Sequence, residues 1–123
     1  KERHSHKMIR ETGEYVINLT TEDLAWATDF CGVRSGRDMD KFKEMKLTPV
    51  NGDVVSAPLI SESPVNIECK VTEVKSLGTH DMFIAEVLSI DADEKYIDEK
   101  GSFDITKCNL IAYANGKYFE KII

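Results

Sequence analysis

Val65-Asn66-Ile67-Glu68-Cys69-Lys70-Val71-Thr72-Glu73-Val74 decides the fold. Apolar and polar residues alternate through this run. A period of two sends successive side chains to opposite faces of an extended chain. The pattern predicts a half-buried strand, apolar side inward and charged side outward. Downstream, Gly78-Thr79-His80-Asp81 is a turn signal, and residues 82–90 return as a second strand of mixed burial. Residues 109–113 and 117–119 flank Asn115-Gly116, a dipeptide favoured in two-residue hairpin turns. Several antiparallel strands without alternating strand–helix units predict a mainly β fold, a small antiparallel barrel with short helical excursions. No GxGxxG is present, which argues against a dinucleotide-binding parallel sheet.

Upstream of the alternating run the signals are helical. Residues 4–12 read as a short helix with Met8 and Ile9 as apolar contacts and Gly13 as a left-handed stop. Residues 14–19 are rich in β formers and read as a strand. Thr20 or Thr21 is the expected cap of a second helix, with Thr20 and Asp23 arranged as a capping box. That helix places Leu24, Ala27, Thr28 and Cys31 on one side and ends at Gly32. Residues 34–37 form a polar loop. Asp38 is then expected to cap a helix over 39–45 that buries Phe42 and Met45.

The chain has 123 residues, enough for one compact domain and too few for two ordinary ones, so residues 1–123 are read as a single domain. With 31% charged and 41% hydrophobic residues it has neither a disordered nor a membrane composition, and no apolar stretch approaches the roughly 20 residues of a bilayer span. The net charge of −6 makes nonspecific nucleic-acid binding unexpected. The acidity is uneven. Residues 1–46 hold nine basic and nine acidic side chains, so residues 47–123 carry the whole excess. Cys31, Cys69 and Cys108 show no CxxC spacing, and an odd count fits a reduced, cytoplasmic protein. The opening Lys-Glu-Arg-His lacks an initiator Met and an apolar leader, so Lys1 is read as a start within a longer chain.

No GxSxG, HExxH or P-loop occurs, and His4, His6 and Cys31 lack a further ligand at structural-zinc spacing, so no metal site is expected. Cys31 is ordinarily a small buried residue, with a nucleophile as the sharper alternative. Trp26 and the tyrosines are core or interface aromatics by default. The basic run Arg34, Arg37, Lys41, Lys43 and Lys46 is ordinarily a solvated face. Within it, however, Ser35-Gly36-Arg37-Asp38 is a Gly-containing loop entering a helix. Its amides, together with Arg37 and Lys41, form the kind of group that holds a phosphate. His80 stands in a turn between two long strands, either simply exposed or at a barrel rim where ligands bind.

These segments together resemble one family. Residues 31–42, Cys-Gly-Val-Arg-Ser-Gly-Arg-Asp-Met-Asp-Lys-Phe, resemble the CGxxSGRDxDKF segment of the flavoredoxin and flavin-reductase-like proteins. Ala57-Pro58-Leu59-Ile60 with residues 64–71, residues 77–87 and residues 112–118 are similar to its later segments in the same order. Arg3-His4-Ser5-His6 is similar to its Arg-aromatic-Ser/Thr segment.

The resemblance implies an FMN-binding split β-barrel, antiparallel and of Greek-key type, incomplete at the N-terminus because several strands precede Arg3 in the family. It further implies a homodimer with flavin near the subunit interface, and reduction of flavin by NADH or NADPH, in some members with a redox partner protein. By matched position, Ser5, Ser35, Gly36, Arg37 and Lys41 would contact FMN or its phosphate. His80 would lie by the isoalloxazine as the residue serving catalysis, and Tyr113 would pack near the ring. Three functions follow as expectations: an NAD(P)H-dependent flavin oxidoreductase, a non-enzymatic FMN electron carrier, and a cofactor-free structural relative.

Overall fold

The computed structural model describes residues 2–120, so Lys1 lies outside the described residues. In chain order the elements are α1 (His4–Thr12), β1 (Glu14–Asn18), α2 (Ala25–Val33), α3 (Lys41–Glu44), β2 (Pro49–Val50), β3 (Leu59–Ile60), β4 (Val65–Ser76), β5 (Asp81–Ala92), β6 (Ile111–Ala114) and β7 (Lys117–Glu120). The β4–β5 hairpin is the centre of the molecule. Adding β1 makes a three-stranded antiparallel sheet in the order β1-β4-β5, accompanied by the small pairs β2–β3 and β6–β7. No helix of the described residues is long and apolar enough to cross a membrane.

The turns follow the sequence chemistry. Gly13 ends α1 in the left-handed region at φ 68°, where a side chain would be strained, and its N–H closes on Ile9 O at 2.8 Å. Asn115 and Gly116 both have positive φ, 50° and 74°, as a type I′ hairpin turn requires.

Two helix starts differ from expectation. Neither Thr20 nor Thr21 caps a helix with its side chain. Their backbone is taken up by a distant segment instead: Ile111 N donates to Thr20 O, Glu22 N donates to Asn109 O, and Thr21 bridges to Leu110. A 3₁₀ turn over Glu22–Leu24 then intervenes before α2. The short α3 starts at Lys41, capped by Asp40, whose carboxylate accepts Lys43 N at 3.3 Å. Asp38 lies earlier, in a turn in which its N–H donates to Ser35 O, three residues ahead of the helix. Phe42 and Met45 are half-buried.

The largest departure lies in β4 itself. The first half of its predicted polar side is buried, with Asn66 6% exposed and Glu68 0%, while Lys70 and Thr72 are exposed as expected; Val74, predicted inward, is 37% exposed. Bulges account for part of this. Leu88 on β5 and Thr72 on β4 are extra residues in the ladder, and each shifts the register. The rest is due to segment 52–60, which crosses the polar face. Asn66 acts as a strand substitute for it: Oδ1 accepts Ile60 N at 3.0 Å and Nδ2 donates to Ile60 O at 3.1 Å. Glu68 Oε1 accepts Val54 N and Val55 N at 2.9 and 3.1 Å. Glu14 on β1 accepts the Ser56 amide and hydroxyl. The opposite face carries two cross-strand rows, Ile17–Ile67–Ile90 and Tyr15–Cys69–Val87. Ile17, Val87 and Ile90 on it are exposed.

Asn66→Ala leaves the half-buried Ile60 N–H without its acceptor, while Ile60 O keeps the Ser63 amide. Denaturant titration should show a loss of about 1–2 kcal/mol.

Candidate functional site

A cavity of about 1210 Å³ opens between the start of α1 and the stretch that runs from the end of α2 to α3. Ser5, Ser35, Gly36, Arg37 and Lys41 all line it. Two arginines stitch its walls together. Arg3 donates to Gly32 O at 2.9 Å, and Arg37 donates to Glu2 O at 3.2 Å. Gly36 lets the loop approach α1 closely, since a Cβ there would press on His4 Cδ2 at 3.1 Å. Ser35 folds the loop on itself by accepting Arg37 N at 3.1 Å, and its O–H remains a donor. Arg34 lies over the Phe30 ring. The lining is mixed in charge: Arg3, Arg34, Arg37 and Lys41 face Glu2, Asp38 and Asp40.

Lys41 is half-buried and donates from Nζ to Cys31 O at 2.6 Å. Cys31 lies in the last turn of α2, where carbonyls lack helical partners, so a cation is favoured at that end. Two of the three ammonium N–H groups stay available to an anion. Lys41, Ser5, Met8, Cys31 and Phe42 also border a second cavity of about 580 Å³, whose further walls include Tyr15, Val16, Ala57 and Pro58. A polar cleft with four basic and three acidic side chains thus adjoins an apolar one across Lys41.

His80 and Tyr113 line neither cavity. His80 is exposed in the turn closed by Leu77 N donating to His80 O, with Nδ1 2.9 Å from Thr79 Oγ1. Tyr113 is exposed on β6 and packs on Tyr118 at 4.9 Å between ring centroids. Each nonetheless sits on a hairpin tied to a helix that borders the larger cavity. His6 of α1 pairs through Nε2 with Asp81 Oδ2 at 2.7 Å, where the Asp81 side chain is 5% exposed, and its ring meets Phe83 edge-on. Tyr118 donates its hydroxyl proton to Asp29 of α2 at 3.3 Å. The sequence reading missed the His6–Asp81 contact. Its only trace in sequence is a histidine directly after Ser5 and an aspartate directly after His80.

Against the expectation of no metal site, the polar face of the sheet gathers three carboxylates: Asp53, Glu68 and Asp91 lie with one oxygen each within 4.8 Å of the others. Glu68, next to Asp91, pushes the Asp91 carboxyl well above the ordinary carboxylate range, with burial and Asp53 adding to the effect. Burial alone would raise Glu68 too. Its hydrogen bonds with Asp91 and from the amides of residues 53–55 outweigh burial and hold it low. Cys31, Cys69 and Cys108 are free thiols, and burial pushes the Cys69 and Cys108 thiols up, away from reactivity.

Residues 1–121 match the family model of the flavin reductase like domain. The chain belongs to the flavin reductase-like family. An uncharacterized protein of Archaeoglobus fulgidus is 32% identical over 98 residues, which cover 80% of this chain and 55% of that protein. Flavoredoxin of Desulfovibrio vulgaris (Miyazaki F) superposes with a TM-score of 0.90 at 30% identity, covering 98% of this chain and 66% of that one. A Shewanella frigidimarina protein with a split barrel domain superposes with a TM-score of 0.82 at 22% identity, covering 96% of this chain and 61% of that one. The chain therefore spans between about half and two thirds of these proteins. The expected mainly β, antiparallel split-barrel fold is the one found.

In this flavin reductase-like chain the His6–Asp81 pair joins α1 to the His80 turn, with Arg10 of α1 3.8 Å from the same carboxylate oxygen. His6→Ala should accelerate amide hydrogen exchange in residues 77–81 by roughly tenfold or more, the scale of a lost hydrogen bond to a charged group. Exchange at the distant 115–116 turn should stay unchanged.

Proposed function

We propose that the protein binds FMN and passes electrons to it from NADH or NADPH, as a flavin reductase-like oxidoreductase. The observation that carries this reading is the pair of adjoining cavities, one polar with Arg37 and Lys41 in its lining and one apolar, that meet at Lys41. FMN has the matching halves, a phosphate and an apolar ring system. The residues present fit the phosphate. Arg37 and Lys41 supply charge, Ser5 and Ser35 supply hydroxyl donors, and Gly36 keeps the loop open to close approach. Tyr15, Val16, Phe42 and Pro58 offer apolar surface that excludes water from a ring. When bound, flavin supplies the hydride and electron-transfer chemistry; no side chain of this chain is needed as a nucleophile.

The role assigned to His80 is orientation. Thr79 occupies Nδ1, so Nε2 is the nitrogen that would meet a flavin edge or an incoming nicotinamide. Tyr113 would add an aromatic face with a polar tip. Since neither residue lines the cavities within one chain, the reading includes a homodimer. The exposed row ends Ile17 and Ile90, with Val87, offer apolar surface for a second copy. The second reading, an FMN carrier that exchanges electrons with a partner protein, is favoured by the 30% identity to flavoredoxin.

Titration with FMN followed by flavin fluorescence, then steady-state oxidation of NADH and NADPH, tests both. Binding with turnover supports the oxidoreductase, binding without turnover supports the carrier, and no binding removes both. Lys41→Ala should weaken FMN by about 1.5–3 kcal/mol, the scale of a hydrogen bond to a charged group. His80→Ala should slow flavin reduction while the melting temperature barely moves. Sedimentation at micromolar concentration should give a dimer, and a clean monomer would remove the shared site.

A further inference from the structure

We propose that Asp53, Glu68 and Asp91 form a binding site for a divalent cation of the calcium type, a site separate from the flavin cavities. The three carboxylates come from three segments that meet only in the folded chain: the 51–56 loop, β4 and β5. One oxygen from each lies within 4.8 Å of the other two. A cation with ligands at about 2.3–2.6 Å spans that distance.

Proximity alone would be a weak argument, since acidic groups often cluster at surfaces. The second observation is the state of Glu68. It is fully buried, and its Oε1 is satisfied by the amides of Val54 and Val55. Its Oε2 and Asp91 Oδ2 are both buried and receive no N–H or hydroxyl; what links the two carboxyls is at most a shared proton. Among the described residues no Lys, Arg or His forms an ion pair with any of the three. Buried carboxylate oxygens left without a donor are costly, and something must neutralise them. A single proton can bridge one pair, Glu68 and Asp91, and leaves Asp53 repelled. A cation satisfies all three together.

The donor set selects the ion. All ligands are carboxylate oxygens with no imidazole or thiolate, which suits hard cations and disfavours zinc or copper. Asp53 is exposed and carried by a loop, so the coordination sphere is adaptable and open to water on that side. Such a sphere fits the variable geometry of Ca²⁺ better than the strict octahedron of Mg²⁺. The bound ion would fasten the 51–56 loop to both long strands, and with it the Ser56–Pro58 wall of the apolar cavity, numbered 56–58.

The test uses the purified protein stripped with EDTA, at mildly alkaline pH, titrated calorimetrically with CaCl₂ and melted with and without the ion. We expect one Ca²⁺ per chain with a dissociation constant of roughly 10⁻⁵–10⁻³ M, the range of the weaker oxygen-ligand sites. Millimolar CaCl₂ should raise the melting temperature by about 3–8 °C over EDTA. Asp53→Asn, at an exposed position that does not endanger folding, should weaken binding at least tenfold, and so should Asp91→Asn. Glu99→Gln, a remote surface change, should leave binding intact. Absence of both heat and melting shift would overturn the proposal in favour of a shared proton. So would a shift reproduced by NaCl at equal ionic strength, one undiminished in Asp53→Asn, or Mg²⁺ binding as tightly as Ca²⁺. None of these readouts involves flavin, so the outcome is independent of the proposed oxidoreductase activity.

Discussion

Segment 52–60 has almost no strand partner of its own, yet it lies across the inner sheet, and its backbone amides must be satisfied. Two side chains of β4 meet that requirement. Glu68 takes the N–H groups of Val54 and Val55, and Asn66 takes both polar groups of Ile60. The rest of the polar face depends on this arrangement. With segment 52–60 held down, Ser56 reaches Glu14, residues 56–58 wall the apolar cavity, and α1 closes that cavity from the other side. A buried polar group is tolerable only when its partners are in place. The sheet and its covering segment therefore stand or fall together.

The same feature marks the limit of what could be read in the sequence. Alternation located β4, and the turn chemistry located the β4–β5 and β6–β7 hairpins, because period and turn dipeptides are local properties. Alternation also assigned Asn66 and Glu68 to solvent. It cannot tell a polar residue that faces water from one that faces another stretch of backbone, since both satisfy the same chemistry. The helix starts failed for a related reason. Thr20 and Asp38 had suitable side chains, but the Thr20 backbone is committed to residue 111, and Asp38 lies in the turn with Ser35, three residues ahead of the helix. A cap is decided by competition, and the competitor at Thr20 lay about ninety residues away.

The candidate site divides along the same line. Ser35, Gly36, Arg37 and Lys41 come from one contiguous segment, and Ser5 adjoins it through the Arg3 and Arg37 stitches, so the proposed anion site is legible in local composition. His80 and Tyr113 depend on long-range geometry. Their hairpins reach the cavity border through α1 and α2, by the contacts His6–Asp81 and Asp29–Tyr118. The acidic trio was invisible for the same reason: its members are fifteen and twenty-three residues apart, at no spacing that a metal motif would reveal.

Through Oε1, Glu68 recognises main chain and not side chains, and this has an evolutionary consequence. An acceptor that reads N–H groups is indifferent to the identity of the residues that carry them. Val54, largely exposed, is free to drift without loosening the clasp. Gly52 is not, because any Cβ there would collide with Glu68 Oε1. Among descendants of such a chain, the glycine and the glutamate should be inherited as a unit while the residue at 54 varies around them.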